Sequence, residues 1–171
     1  MANREISTGS PIEKKIRWAE GCFQASRDQL LKDSILADLL ERFTKAVNAS
    51  RRTMKETGVE RACRLCEERE GGSCCGAGLE DHYSGSLLLI NLLLGKRLPK
   101  ARYDPRGCLF LIATGCSLLA RHVICINYLC KKITDRIDPE KIADLREKEG
   151  IELEILFHLN ERVKAVLNSQ L

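Results

Sequence analysis

Apolar positions recur at three- and four-residue steps at both ends of the chain, and the pattern changes character in between. Ile12, Ile16, Ala19, Cys22 and Phe23 mark one helix face. Ser10 is a candidate cap and Pro11 suits a first helical turn. A second run holds Leu31, Ile35, Leu39, Leu40, Phe43 and Val47, with Asp33 or Ser34 as the point of separation and Gly58 closing the region. Ser84 to Leu94 reads as a short buried helix stopped by Gly95 and Lys96-Arg97. Asp138-Pro139-Glu140 opens a last helix carrying Ile142, Leu145, Ile151, Ile155, Leu159, Val163 and Val166, with Gly150 as a candidate break. The expected fold is mainly α: a helical protein around an irregular, cysteine-rich metal-binding core. Residues 1–10 are expected to be flexible, and residues 11–171 to form one helical domain with that core at 59–138. Within it, residues 59–80 read as an irregular loop, because Gly71, Gly72, Gly76 and Gly78 surround Cys74-Cys75.

The cysteine distribution changes the picture most. Eight of the nine cysteines fall between Cys63 and Cys130, leaving only Cys22 outside. They form two blocks: Cys63-x2-Cys66-x7-Cys74-Cys75, and Cys108-x7-Cys116-x8-Cys125-x4-Cys130. Thiolates are soft ligands for zinc and for iron–sulfur clusters, and two of them in a CxxC step can chelate one ion. All eight are therefore candidate metal ligands, in two four-ligand sites or in one site with spare thiols. The competing reading is that cysteine packs as a small hydrophobe. It suits Cys22, Cys116 and Cys125, which sit in apolar settings, and does not suit Cys74-Cys75 in a glycine loop. His82, His122 and His158 are the further candidates, with His122 inside the second block, and Asp81-His82 is placed to activate a thiolate near Cys75.

Charge and composition exclude several functions. The net charge is +4, from 28 basic and 24 acidic residues that interleave along the chain. The basic pairs Arg51-Arg52 and Lys131-Lys132 fall short of the clustered patch that nucleic acid needs. The N-terminus has no apolar h-region, so a cytosolic, reducing location is expected, where cysteine clusters bind metals more often than they form disulfides. Cys108 to Cys130 is long enough to span a bilayer, but Arg121-His122 near its middle argues against a span. No nucleophile elbow, phosphate loop or dinucleotide fingerprint is present, so no reaction is named by a motif.

The run Gly107-Cys108-Leu109-Phe110-Leu111, followed by Thr114-Gly115-Cys116-Ser117-Leu118 and then Arg121, Cys125, Tyr128 and Cys130, resembles the bacterial zinc- or iron-chelating cysteine-cluster domain family (YkgJ-like). The resemblance covers roughly residues 60–130, with Cys63, Cys66, Cys74 and Cys75 in the upstream part. That family follows the arginine with proline where this chain has His122. The resemblance implies a cysteine-bound metal or cluster. The function expected is a metal-binding protein holding an iron–sulfur cluster, with an electron-transfer or redox-sensing role and a redox or protein partner. The alternative is a structural zinc module for protein interaction, without catalysis.

Overall fold

The computed structural model describes residues 5–70 and 74–169 and is mainly α-helical. Its helices are α1 (Ile12–Lys32), α2 (Ser34–Glu56), α3 (Val59–Glu70), α4 (Gly85–Leu93), α5 (Val123–Asn127), α6 (Lys131–Thr134) and α7 (Pro139–Asn168). A 3-10 turn spans Leu79–His82. Two short antiparallel strands, β1 (Leu111–Ile112) and β2 (Gly115–Cys116), place Leu111 opposite Cys116. None of the described helices is long and apolar enough to cross a membrane. Cys108 to Cys130 forms strands, turns and the one short helix α5.

The long helices begin and end where polar chemistry requires it. Asp33 is extended and ends α1, while its carboxylate accepts from the Leu36 N–H at 2.8 Å and so starts α2. Arg162 of α7 grips the same carboxylate at 3.0 and 2.5 Å, and this pairing holds the Asp33 carboxyl below its usual range. The break resets the helical register. Leu30 and Leu36 are therefore buried, whereas Leu31 and Ile35, expected on the inner face, point outward. Gly58, at φ +84°, ends α2 in a conformation that suits glycine. Ser10 does not cap α1 through its side chain; the Pro11 carbonyl accepts from Lys14 and Lys15.

The core lies between α2 and α7 on one side and between α1 and α4 on the other. Leu36, Leu40, Phe43 and Val47 of α2 share that core with Ile155, Leu159, Val163 and Val166 of α7. Gly150 does not break α7, which runs unbroken from the Asp138 cap. Ile151, expected to face inward, is exposed, and Glu149 and Glu152 are buried beside it instead. The short helix α4 is buried along Leu87, Leu88, Leu89, Ile90 and Asn91, as a helix with apolar residues on nearly every side should be. Ser84 caps it, Gly95 at φ +75° ends it, and Glu5 accepts from the Ser86 N–H at 2.8 Å.

Gly85 opens α4 because nothing larger fits. A Cβ there would lie 2.4 Å from Cε3 of the Trp18 ring on α1. Replacing Gly85 by Ala is expected to push α1 from α4 and cost about 1–3 kcal/mol, the usual cost of overpacking. Denaturant unfolding checks this; an unchanged midpoint would show that Trp18 moves aside freely.

The largest departure from the sequence expectation is at residues 59–80. The first twelve of these residues form a helix, α3, not an irregular loop. Glu60, Arg61, Ala62, Arg64 and Leu65 are good helix formers, and Glu60 pairs with Arg64 one turn on at 2.7 Å. Gly71 and Gly72 lie outside the described residues.

Candidate metal centre

The two cysteine blocks meet through their backbones. Gly76 and Gly107 form an isolated antiparallel bridge. Beside it, the Cys108 N–H donates to the Cys75 carbonyl at 2.7 Å and the Ala77 N–H to the Arg106 carbonyl at 2.9 Å. Glu80 fastens this junction from beneath. It is fully buried and accepts from the N–H groups of Gly78 (3.1 Å) and Leu109 (3.3 Å). It also pairs with the Arg102 guanidinium, which in turn donates to the Gly107 carbonyl at 2.6 Å. Burial opposes ionisation of Glu80, but Arg102 and the backbone donors prevail and hold its carboxyl below the usual value.

Around the junction the thiols sort into two groups. The outer group is Cys63, Cys66, Cys74 and Cys130. Cys63 and Cys66 stand at i and i+3 on α3, so they share one helix face. Cys130 precedes α6, which packs against α3, and it lies against the small apolar cluster of Val59, Ile133 and Leu145. The Cys63 residue is exposed, yet burial of its thiol pushes the pKa up to about 11, helped by the neighbouring thiols of Cys74, Cys130, Cys75 and Cys66. The Cys74 thiol is pushed up by burial, then by Cys130 and Cys66. Lys132 brings its ammonium to 3.9 Å from the Cys66 sulfur.

The inner group is Cys108, Cys116 and Cys125, packed on the main core together with Cys75, whose thiol acts on Cys63 of the outer group. Cys116 ends β2, which the Ser117 N–H continues by donating to Phe110 at 2.9 Å. Burial pushes the Cys108 thiol up to about 12, with Glu80 and Cys116 adding to it. The Tyr83 hydroxyl lies 3.8 Å from the Cys125 sulfur, and the Tyr83 ring meets Phe110 edge-on at 4.9 Å. Burial raises Cys125, while Tyr83 and Arg121 pull it back. Burial drives the Tyr83 phenol far upward, with Cys116 and Cys125 adding to it, so it stays protonated and able to donate.

Polar residues far from the cysteines hold this block in place. Asn91 of α4 is completely buried. Its Oδ1 accepts from the N–H groups of Leu119 (2.9 Å) and Ala120 (3.0 Å), and its Nδ2 donates to the Ala120 carbonyl at 2.8 Å. Lys15 of α1 donates to the Asp81 carbonyl at 2.7 Å. Neither residue stands out in the sequence, because each partner is remote in the chain.

The histidines divide. The Nδ1 of His122 accepts from the Ile124 N–H at 3.3 Å and caps α5, which leaves Nε2 as its only outward nitrogen. Burial, with His82 beside it at a ring separation of 5.6 Å, lowers the His122 pKa. His158 lines a groove of about 600 Å³ between α2 and α7 that contains no cysteine. Cys22 is buried in the α1 face, with its thiol pushed up to about 11 by burial and then Glu5, as its apolar setting predicts.

Among the described residues, no three or more His, Cys, Asp or Glu side chains stand in a preformed metal-holding arrangement. The thiols are neighbours, not a closed ligand set. All nine cysteines are free thiols. No protein-family model, curated protein or solved structure matches the chain.

Proposed function

We propose that this chain is a cysteine-ligated metal-binding protein, with an iron–sulfur cluster as the group that best suits its ligands and electron transfer or redox sensing as its role. The observation that carries the reading is the junction at Cys75 and Cys108, whose 2.7 Å backbone bond draws both cysteine blocks to one place. Around it the thiols act on one another in two neighbourhoods, Cys63 with Cys66, Cys74, Cys75 and Cys130, and Cys116 with Cys108 and with Cys125, the last beside the Tyr83 hydroxyl. Four thiolates are the usual ligand set of a cluster, and also of structural zinc. A cluster would supply a one-electron couple. The chain's own residues would supply the thiolates, exclude water with Phe110 and Tyr83, and donate a hydrogen bond from Tyr83 to Cys125.

Zinc is the second reading. It is favoured by the sparse regular structure from Gly95 to His122, where two two-residue strands are the only elements and a metal would supply order. Lys132 beside Cys66, and the thiols pushed upward by burial, fit either group, because any bound cation lowers the cost of ionising them. Purification without oxygen, followed by an optical spectrum and metal analysis, decides between them. Visible absorption with iron and sulfide confirms the first reading. A colourless protein with stoichiometric zinc selects the second, and a folded, metal-free protein that takes up neither overturns both.

A further inference from the structure

Two of the apolar positions that the helical period marks as inner are well exposed, Ile35 at 53% and Ile151 at 45%. Both line the same groove, the channel of about 600 Å³ between α2 and α7. From α2 the groove takes Ile35, Leu39 and Arg42, at steps of four and three residues. From α7 it takes Ile151, Ile155, His158, Arg162 and Ala165, at steps of four, three, four and three, with Glu154 and Glu161 on the outer edge. Residues at these steps share one face of a helix, so each helix carries a second seam beside the one it buries in the core. Leu39 and Ile155 form the apolar floor, while Ile151, Glu154, His158, Glu161 and Ala165 stand exposed.

The two exposed isoleucines lie at opposite ends of the groove. Arg162 grips Asp33, two residues before Ile35, so Ile35 stands at the C-terminal end of the α7 stripe. Ile151 opens the N-terminal end. At a rise of about 1.5 Å per residue, the stripe from Ile151 to Ala165 is about 21 Å long.

The chemistry of the lining names the occupant. Its two arginines and two glutamates balance, so the groove selects neither an acidic nor a basic partner. The α7 stripe is instead complementary to its own reverse. Glu154 and Arg162 lie four residues to either side of His158, and Ile151 and Ala165 lie seven. When two copies of α7 run antiparallel with their His158 residues level, Glu154 of each faces Arg162 of the other. Arg162 spends Nε and Nη2 on Asp33, which fixes the guanidinium and leaves Nη1 for that contact. Ile151 of each copy faces Ala165 of the other, at the end of the groove where Ile35 stands. The reversal therefore brings each exposed Ile151 to the other copy's exposed Ile35, and a twofold axis makes every contact twice.

We propose that the α2–α7 groove is a homodimer interface, in which a second copy of this chain lays its α7 antiparallel along the α7 of the first, about a twofold axis at His158. Apolar contact at the two ends supplies the affinity, and the Glu154–Arg162 pairs set the register. No cysteine lines the groove, so the interface is separate from the thiol region.

Sedimentation of the full chain over a range of concentrations is the test, with a thiol reductant present so that no disulfide joins the copies. The expected result is a reversible, concentration-dependent dimer. Ile151→Glu is expected to weaken it at least about a hundredfold, since the charge enters both ends of the interface. Glu154→Arg puts like charges opposite each other twice and is expected to weaken it about tenfold, with the loss shrinking at high salt. Phe157→Glu is the control: Phe157 is 62% exposed but does not line the groove, and its loss is expected to stay within about threefold. All three side chains are exposed, and an unchanged helical circular dichroism spectrum shows that the variants fold. A chain that sediments as a monomer at every concentration would give the groove to a different molecule and overturn the proposal. So would a dimer that Ile151→Glu leaves intact, or that Phe157→Glu weakens as strongly. A dimer that Ile151→Glu breaks but Glu154→Arg leaves unchanged would overturn the antiparallel register.

Discussion

Replacing Glu80 by Ala is expected to destabilise the protein by about 3 kcal/mol and to separate the two cysteine blocks, so that metal is lost along with stability. The magnitude comes from the general cost of breaking a buried ion pair, about 3–5 kcal/mol, taken at its low end because the Arg102 side chain is 33% exposed and can recover some hydration. Three donors lose their acceptor at once: the N–H groups of Gly78 and Leu109 and the Arg102 guanidinium. Two of them belong to the segments that carry Cys75 and Cys108. Glu80→Gln keeps the shape and one oxygen, so it should retain the junction partly and fall between the two. Unfolding midpoints and metal content, measured together, check the result. Full metal retention in a stable Glu80→Ala protein would show that the cysteine blocks do not depend on this node.

The same residue sets an acid limit. The folded protein holds the Glu80 carboxyl below its usual value, so over the interval between the two pKa values the unfolded chain binds the extra proton. Stability from Glu80 is therefore fully present above the ordinary glutamate value of about 4.3 and is lost as pH falls through the lower folded value. Asp33, held down by Arg162 and by the α2 N–H groups, adds a loss of the same sign in the same acid range. A titration of the unfolding midpoint should begin to fall below about pH 6.5, where the fold holds down the His122 pKa, and fall further below about pH 5, and that second fall should be smaller in Glu80→Gln.

What the sequence disclosed, and what it withheld, follows from where each partner lies in the chain. The long helices were legible because their inner faces are apolar at helical spacing and because Asp33, Gly58, Gly95 and Asp138-Pro139 punctuate them locally. Helix α3 was hidden because its apolar face is short and half of it is cysteine: Val59, Ala62, Cys63 and Cys66 stand at helical spacing, but the thiols read as ligands. Its helicity rests on side-chain propensity, the Glu60–Arg64 pair and the burial of Val59, weaker signals than the cysteines and glycines nearby. Glu149 and Glu152 were hidden for the opposite reason. They occupy positions where the period called for apolar residues, and only the arrival of Arg146, Arg121 and Ser50 makes their burial tolerable. Ser50 and Glu152 lie 102 residues apart, and Asn91 and Leu119 lie 28 apart. No local pattern contains such pairs. The cysteine density was plain, but its division into an outer and an inner group depends on the Gly76–Gly107 bridge and on α3 facing α6.

That division leads to the second large effect. If the protein holds metal in two four-thiolate sites, as the proposed function allows, single serine substitutions at Cys63, Cys66, Cys74 or Cys130 are expected to lower the metal-to-protein ratio by about half and to leave the inner complement in place, since such a site binds far more weakly without one ligand. Substitutions at Cys108, Cys116 or Cys125 should remove the other half. They should also cost stability, because these thiols pack on the main core and Cys108 is only 6% exposed. Cys75 stands between the groups: it packs with the inner set, yet it acts on Cys63. Cys75→Ser should therefore give the largest loss of any single change. Cys22 is the control, and Ala is the better replacement there, because a serine hydroxyl in the α1 core would add a desolvation cost of about 1–3 kcal/mol. Cys22→Ala should keep the full metal ratio and lose only about 1 kcal/mol of stability, the cost of a small cavity. Elemental analysis of proteins prepared without oxygen reads all of these. Parallel losses for outer and inner substitutions would mean one shared centre in place of two, and a loss in Cys22→Ala with none in Cys63→Ser or Cys66→Ser would place the metal elsewhere.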